Sequence, residues 1–121
     1  MACAWYLKNG YRLLRHNWRC AAGEADLIFE YQSGLVLVEV KGRLSSPMAG
    51  ELLFAGINHK KQQRLVRVAE IFAAFYDWGD YEEVKARSLR IDLFGVIVDP
   101  GAPEPIRIYC EQAAVEVPYR R

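Results

Sequence analysis

Cysteine and histidine are scarce in this 121-residue chain, which has only Cys3, Cys20, Cys110, His16 and His59. Three scattered thiols cannot build a disulfide framework, and no Cys/His spacing matches a structural zinc site. Long apolar runs are missing too. None approaches the roughly 18–20 residues that a membrane span needs. The N-terminus lacks the basic stretch and long apolar core of a secretory signal. A reducing cytoplasm is the expected setting, with each cysteine a small core residue. Net charge is close to absent, at +1, which excludes an Arg-rich tail that coats nucleic acid by charge alone. Internal repeats and low-complexity segments are also lacking.

The composition, 52% hydrophobic and 26% charged, is that of an ordinary globular chain. Its length suits one domain over residues 1–121, large enough to fold without a metal or disulfide staple. The charge becomes informative once divided. Residues 1–67 carry ten basic and five acidic side chains, whereas residues 68–121 carry six basic and ten acidic ones. A local basic surplus steers polyanions even when the whole chain is neutral.

Residues 2–9 read as a short helix stopped by Asn9-Gly10. Tyr11 to His16 reads as a strand broken at Asn17. Asp26–Tyr31 and Leu35–Val40 are rich in β-branched and aromatic residues and form a hairpin, with Gln32-Ser33-Gly34 as its turn. The second arm is almost wholly apolar, as a central strand covered on both faces would be. Residues 42–57, with Pro47, Gly50 and Gly56, read as a loop holding at most a short helical turn. Asn58 caps a helix expected to run to about Trp78, with Leu65, Val68, Phe72 and Phe75 at helical spacing. Asp77 to Glu83 is a polar connection, Ser88–Val98 a strand, and Pro100 to Pro105 a break. Ile106, Ile108 and Cys110 alternate as a final strand would. The expected fold class is α/β, a mixed β-sheet flanked by helices in the order αβββαβ(β).

The hairpin holds the strongest chemical signal. Antiparallel pairing keeps the sum of partner residue numbers fixed, and a turn centred on residues 32–34 makes that sum 65, 66 or 67. Asp26 then faces Glu39, Val40 or Lys41, with opposed Cβ atoms about 5 Å apart. Glu39 and Lys41 are two apart in a strand and share a face. Two carboxylates and an ammonium held together suit divalent-metal phosphodiester hydrolysis. Asp and Glu oxygens hold Mg²⁺ or Mn²⁺, the metal polarises a phosphoryl group and acidifies a water, and lysine orients that water or steadies charge on the phosphate.

Gly23-Glu-Ala-Asp-Leu-Ile28 followed by Leu35-Val-Leu-Val-Glu-Val-Lys-Gly-Arg43 resembles the bacterial family UPF0102 (YraN-like). The likeness extends to Gly10–Arg19 and Lys61-Gln-Gln-Arg-Leu65, and covers residues 5 to about 95. That family is similar to archaeal Holliday junction resolvases within the restriction-endonuclease-like superfamily, which implies that fold and a nuclease-type site. Asp26 matches the first catalytic acid, while Glu39 and Lys41 match a Glu-X-Lys half. The helix with Lys61 and Gln62 is similar to a supporting element beside the nucleic-acid path. Relatives carry a longer N-terminal helix whose Glu completes the metal site. The chain as it stands begins at Met1-Ala-Cys-Ala, so the expectation is a shortened helix without that ligand.

Each candidate has a plainer reading beside it. Asp26, Glu39 and Lys41 also make sense as a cross-strand ion network. Glu24 shares the face of Asp26, either as a supporting or substitute ligand or as a solvated turn acid. Lys60, Lys61, Arg64 and Arg67, with no acid among them, suit phosphate contact or a charged outer helix face. Arg12, Arg15, Arg19 and Arg43 are further basic candidates, and His59 a weaker one. Trp18 beside Arg19 suits stacking on a base but reads better as a core or hinge aromatic, and Asp92 reads as structural. The expected function is a metal-dependent endonuclease or nucleic-acid-binding protein acting on structured or damaged DNA, with a homodimer as one assembly. The competing readings are a non-catalytic nucleic-acid-binding module and a protein-interaction scaffold using the acidic C-terminal half.

Overall fold

A strand with no polar face needs cover on both sides, and the chain supplies it. The computed structural model describes residues 1–76 and 88–117. The elements are α1 (Ala2–Lys8), β1 (Arg12–Cys20), β2 (Gly23–Tyr31), β3 (Gly34–Leu44), α2 (Ala49–Leu52), α3 (His59–Phe75), β4 (Leu89–Val98) and β5 (Ile106–Val115). They form a mixed α/β fold whose five-stranded sheet has the order β1-β2-β3-β4-β5. Every neighbouring pair is antiparallel except β3 and β4, whose parallel pairing needs the long crossover that carries α2 and α3.

The apolar β3 lies at the centre of this sheet. Its Leu35 and Leu37 join Leu65, Val68, Ala69 and Phe72 of α3 on one face. Its Val36 and Val38 join Ala2 and Tyr6 of α1, with Phe29 and Phe94, on the other. Full burial of such side chains contributes roughly 1.5–3 kcal/mol each. The short α2 packs beside α3 on the sheet, where Leu53 and Phe54 lie directly over Gly95. A Cβ there would come within 2.3 Å of Leu53 and 2.9 Å of Phe54, so only glycine admits this approach.

Several expectations change in detail. Asn17 does not break β1. It takes a left-handed φ of 48° and the ladder continues through Trp18–Ala25 to Cys20–Gly23, because asparagine tolerates that conformation at low cost. The β2–β3 turn is only Gln32 and Ser33, both at positive φ, as a two-residue type I′ hairpin requires. Gly34 already pairs with Tyr31. Residues 42–44 extend β3, and α2 supplies the helical turn. In α3 the Asn58 carboxamide accepts the Lys61 N–H at 2.9 Å, whereas Phe75 is 83% exposed and lies outside the core. Ile106 and Ile108 are exposed on β5. The cysteines are half-buried and unpaired. Trp78 and the Asp77–Glu83 connection lie outside the described residues. Among those that are described, no helix is long and apolar enough to cross a membrane.

Asp92 fastens the α1 side of the sheet. It is fully buried and accepts from the Tyr6 hydroxyl at 2.7 Å, from Arg90 Nε and Nη2 at 2.8 and 2.9 Å, and from the Ala113 N–H at 2.9 Å. Ala113 has a φ of 52°, where the β4–β5 register shifts. The carboxylate therefore holds a bulge of β5 in a conformation alanine avoids. This bears out the structural reading of Asp92.

Two stability outcomes are expected. Replacing Gln32-Ser33 by Asn-Gly, the residues suited to positive φ, should raise the urea-unfolding free energy by about 1 kcal/mol. Asp92→Ala leaves Arg90 without its buried partner and releases the bulge. It should cost roughly 3 kcal/mol or more, visible as a lower urea midpoint by circular dichroism.

Candidate active site

The β2–β3 register places the two acids. Paired residue numbers sum to 65 throughout, from Leu27–Val38 to Tyr31–Gly34, so Asp26 and Glu39 stand at the next opposed position. There Asp26 Oδ2 accepts the Val40 N–H at 2.7 Å. A side chain thus takes over the ladder where the strands part, and the carboxylate orientation is fixed by its partner strand. By strand alternation, Glu39 lies on the face of Leu35 and Leu37, which α3 covers.

Glu39 is 6% exposed. Its Oε2 lies 3.3 Å from the Lys61 ammonium, yet that atom is buried without an aligned hydrogen bond. Burial, helped by the neighbouring Asp26 carboxylate, pushes the Glu39 carboxyl up to about 7, against the pull of Lys61. A buried acid with a spare oxygen beside a second acid is poised to receive positive charge.

The pair opens into a cleft of about 250 Å³ walled by Gly23, Glu24, Lys61, Arg64, Leu65 and Val68. Gly23 has a φ of 148°, which side-chain-bearing residues rarely adopt, and a Cβ there would touch Val68 at 3.5 Å. Glycine therefore keeps this wall low.

The structure brings together Asp26, Glu39, Glu24, Lys61 and Arg64 from the expected set. Glu24 is already ion-paired with Arg19 at 3.0 Å. Lys41 is half-buried on the same strand face as Glu39, but it does not wall the cleft. Lys60 and Arg67 are exposed on α3, and Arg43 is exposed near the end of β3. Gln62 instead donates to the Ile57 carbonyl at 3.0 Å, tying α3 to the preceding loop. His59 is exposed at the start of α3. Arg12 bonds Glu30 at 2.9 Å, and Arg15 donates to the Leu14 carbonyl. Trp18 meets Phe72 edge-on at 5.1 Å, as a core aromatic does.

What sequence reasoning missed is the role of Lys61 as the counter-ion of Glu39. A signal for it exists. Lys61, Leu65 and Val68 fall at i, i+4 and i+7, so this lysine heads the core-facing stripe and is not on the solvated face.

Comparisons with known proteins agree with one another. A UPF0102 protein of Caldanaerobacter subterraneus is 32% identical over 100 residues, covering 83% of this chain and 75% of the relative. One from Caldicellulosiruptor bescii is 40% identical over 76 residues, 63% of this chain and 62% of that one. One from Pseudomonas putida W619 is 44% identical over 64 residues, 53% of this chain and 50% of the relative. The matches thus span between half and three-quarters of these relatives' lengths. Matched by the family model over residues 1–96, the chain belongs to the uncharacterised protein family UPF0102.

Proposed function

We propose that this protein is a divalent-metal-dependent endonuclease acting on structured or damaged DNA in the cytoplasm. The observation that carries the reading is the buried Glu39 Oε2, an acceptor without an aligned hydrogen bond, set beside Asp26 in a cleft with basic walls. Among the described residues no third His, Cys, Asp or Glu completes a metal cluster. Mg²⁺ and Mn²⁺ fit such a pair, because Mg²⁺ is commonly held by one or two carboxylates and keeps several waters. Such a cation, when bound, supplies Lewis acidity toward a phosphate oxygen and lowers the pKa of its water.

The chain's own groups have distinct jobs in this reading. Asp26 is pre-oriented by the Val40 N–H and spends little entropy on binding. Glu39 brings a charge that burial has made costly, so a cation relieves it. Lys61 balances Glu39 while no phosphate is bound and turns to the phosphate when one arrives. Lys41, one pleat further along the same face, orients the attacking water. Arg64 at the cleft and Lys60 and Arg67 on α3 dock the flanking phosphates, a contact that weakens with salt. The resemblance of the Gly23–Arg43 segment to UPF0102, and through it to archaeal Holliday junction resolvases, supports the same reading. One observation favours a second reading, a nucleic-acid-binding module without cleavage: Lys61 already lies 3.3 Å from Glu39, where a cation would otherwise sit.

Cleavage of branched, flapped and single-stranded DNA, with RNA hairpins alongside, decides between them. With Mn²⁺ the wild type should cleave, and Glu39→Ala should lose roughly a hundredfold or more in rate. Unchanged cleavage by Glu39→Ala refutes the site, and salt-sensitive binding without cleavage by the wild type selects the second reading.

The raised pKa of Glu39 also sets a pH dependence. The folded chain holds a proton on Glu39 between about 4.5, its ordinary value, and about 7. Ionisation therefore costs stability progressively as pH rises through that window. Glu39→Gln should leave the thermal midpoint unchanged at pH 4.5 and raise it by several degrees at pH 8 without metal. In the wild type, Mn²⁺ affinity measured by calorimetry should climb up to about pH 7 and level off above it.

A further inference from the structure

The two edges of the sheet are managed in opposite ways. β1 carries Arg12, Arg15 and Arg19 with the left-handed Asn17 between them. The positive φ of Asn17 breaks the flat outline that a second copy of this edge would need, and Arg12 and Arg19 are already paired with Glu30 and Glu24. β5 is different. From Ile106 to Glu111 its ladder with β4 is regular, and the register shift comes only between Ile91 and Leu93. Among the described residues its outer edge pairs with no strand. Ile106, Ile108 and Tyr109 are exposed there. Arg107 and Glu111 are exposed too, and neither side chain has a hydrogen-bond or ion-pair partner among the described residues.

We propose that β5 pairs with β5 of a second copy of this chain, antiparallel about a twofold axis at Tyr109, to give a continuous ten-stranded sheet. The register follows from backbone geometry. Opposed residues in an antiparallel ladder must both turn their N–H and C=O groups toward the partner strand, or both away. A symmetric pairing must therefore be centred on a residue, never between two. Centres at Ile108, Tyr109 and Cys110 keep the regular segment overlapped. Centring on Ile108 sets Arg107 against Tyr109, and centring on Cys110 sets Tyr109 against Glu111. Only Tyr109 as centre sets Arg107 of each copy against Glu111 of the other, twice, and Ile108 against Cys110. A charge pair that has no partner among the described residues is satisfied by a copy of the same strand, which is the self-complementarity a twofold interface requires.

A twofold of this kind is perpendicular to the sheet, so the α3-covered faces of both copies lie on the same side. The two Asp26–Glu39 clefts then open in one direction. Glu39 and its symmetry mate are separated by about 24 Å across the strands, at a spacing of about 4.8 Å, and, being level with Glu111, by about 14 Å along them. The pairing itself does not depend on the nuclease reading and stands or falls alone.

Sedimentation equilibrium of the full chain between micromolar and hundred-micromolar concentration tests it, with circular dichroism to confirm folding. The wild type should be dimeric in the upper part of this range. R107E puts Glu against Glu twice and E111R puts Arg against Arg twice. Each should raise the dimer dissociation constant roughly tenfold to a hundredfold, given the energies of opposed cross-strand charges. The double variant R107E/E111R restores both pairs in reversed sense and should dimerise as the wild type does. A wild type that stays monomeric, a dimer indifferent to either single substitution, or a folded double variant that does not recover would each overturn the proposal.

Discussion

In the β2–β3 hairpin, two independent constraints fix one pairing. The Gln32-Ser33 turn admits two residues and no more, and the alternation of Val36 and Val38 against Leu35 and Leu37 assigns each face of β3 to a different helix. A slip of one residue would turn both apolar rows to the wrong partner. Asp26 and Glu39 meet because of this, although neither contributes to the choice. Their encounter at the hairpin end is a by-product of core packing, which is why it can carry an unfavourable charge without endangering the register.

That charge is held by a strong fold around a weak point. Glu39 closes the buried half of β3, where a leucine or valine would be more stable. The α3 helix covers it with Lys61, but the 3.3 Å ion pair leaves Oε2 without an aligned bond. By contrast Asp92, still more deeply buried, is met by Tyr6, Arg90 and Ala113 in good geometry. The two acids lie on opposite faces of one sheet. One is fully satisfied and fastens elements together, and the other is left partly unmet in a cleft. Proteins commonly violate polar satisfaction at sites of function and keep it elsewhere.

Much of this was legible along the chain because it is local. The turn residues, the apolar arm and the sum rule put Asp26 against Glu39, Val40 or Lys41, and Asn58 announced the start of α3. The left-handed Asn17 was misread as an end because the pairing with Ala25 that carries the strand onward is invisible in Asn17 itself. Phase within α3 was the other source of error. The spacing assigned Phe75 to the core although it is exposed, and grouped Lys61 with an outer basic face although it heads the inner stripe. Lys41 shares the face of Glu39 as alternation requires. Which lysine walls the cleft, however, depends on how α3 sits on the sheet, and that is set by contacts far apart in sequence. The Tyr6–Asp92 bond is of the same kind, with 86 positions between its partners.

That separation has a temporal meaning. At a synthesis rate of roughly 5–20 residues per second, Tyr6 waits several seconds before Asp92 exists, and longer before Ala113 joins it. The hairpin can form early from neighbours in the chain. The first helix cannot be clamped until β4 is made. Closure of this molecule is thus a late event, timed by the ribosome and completed when a single carboxylate gathers the first helix and the final strand.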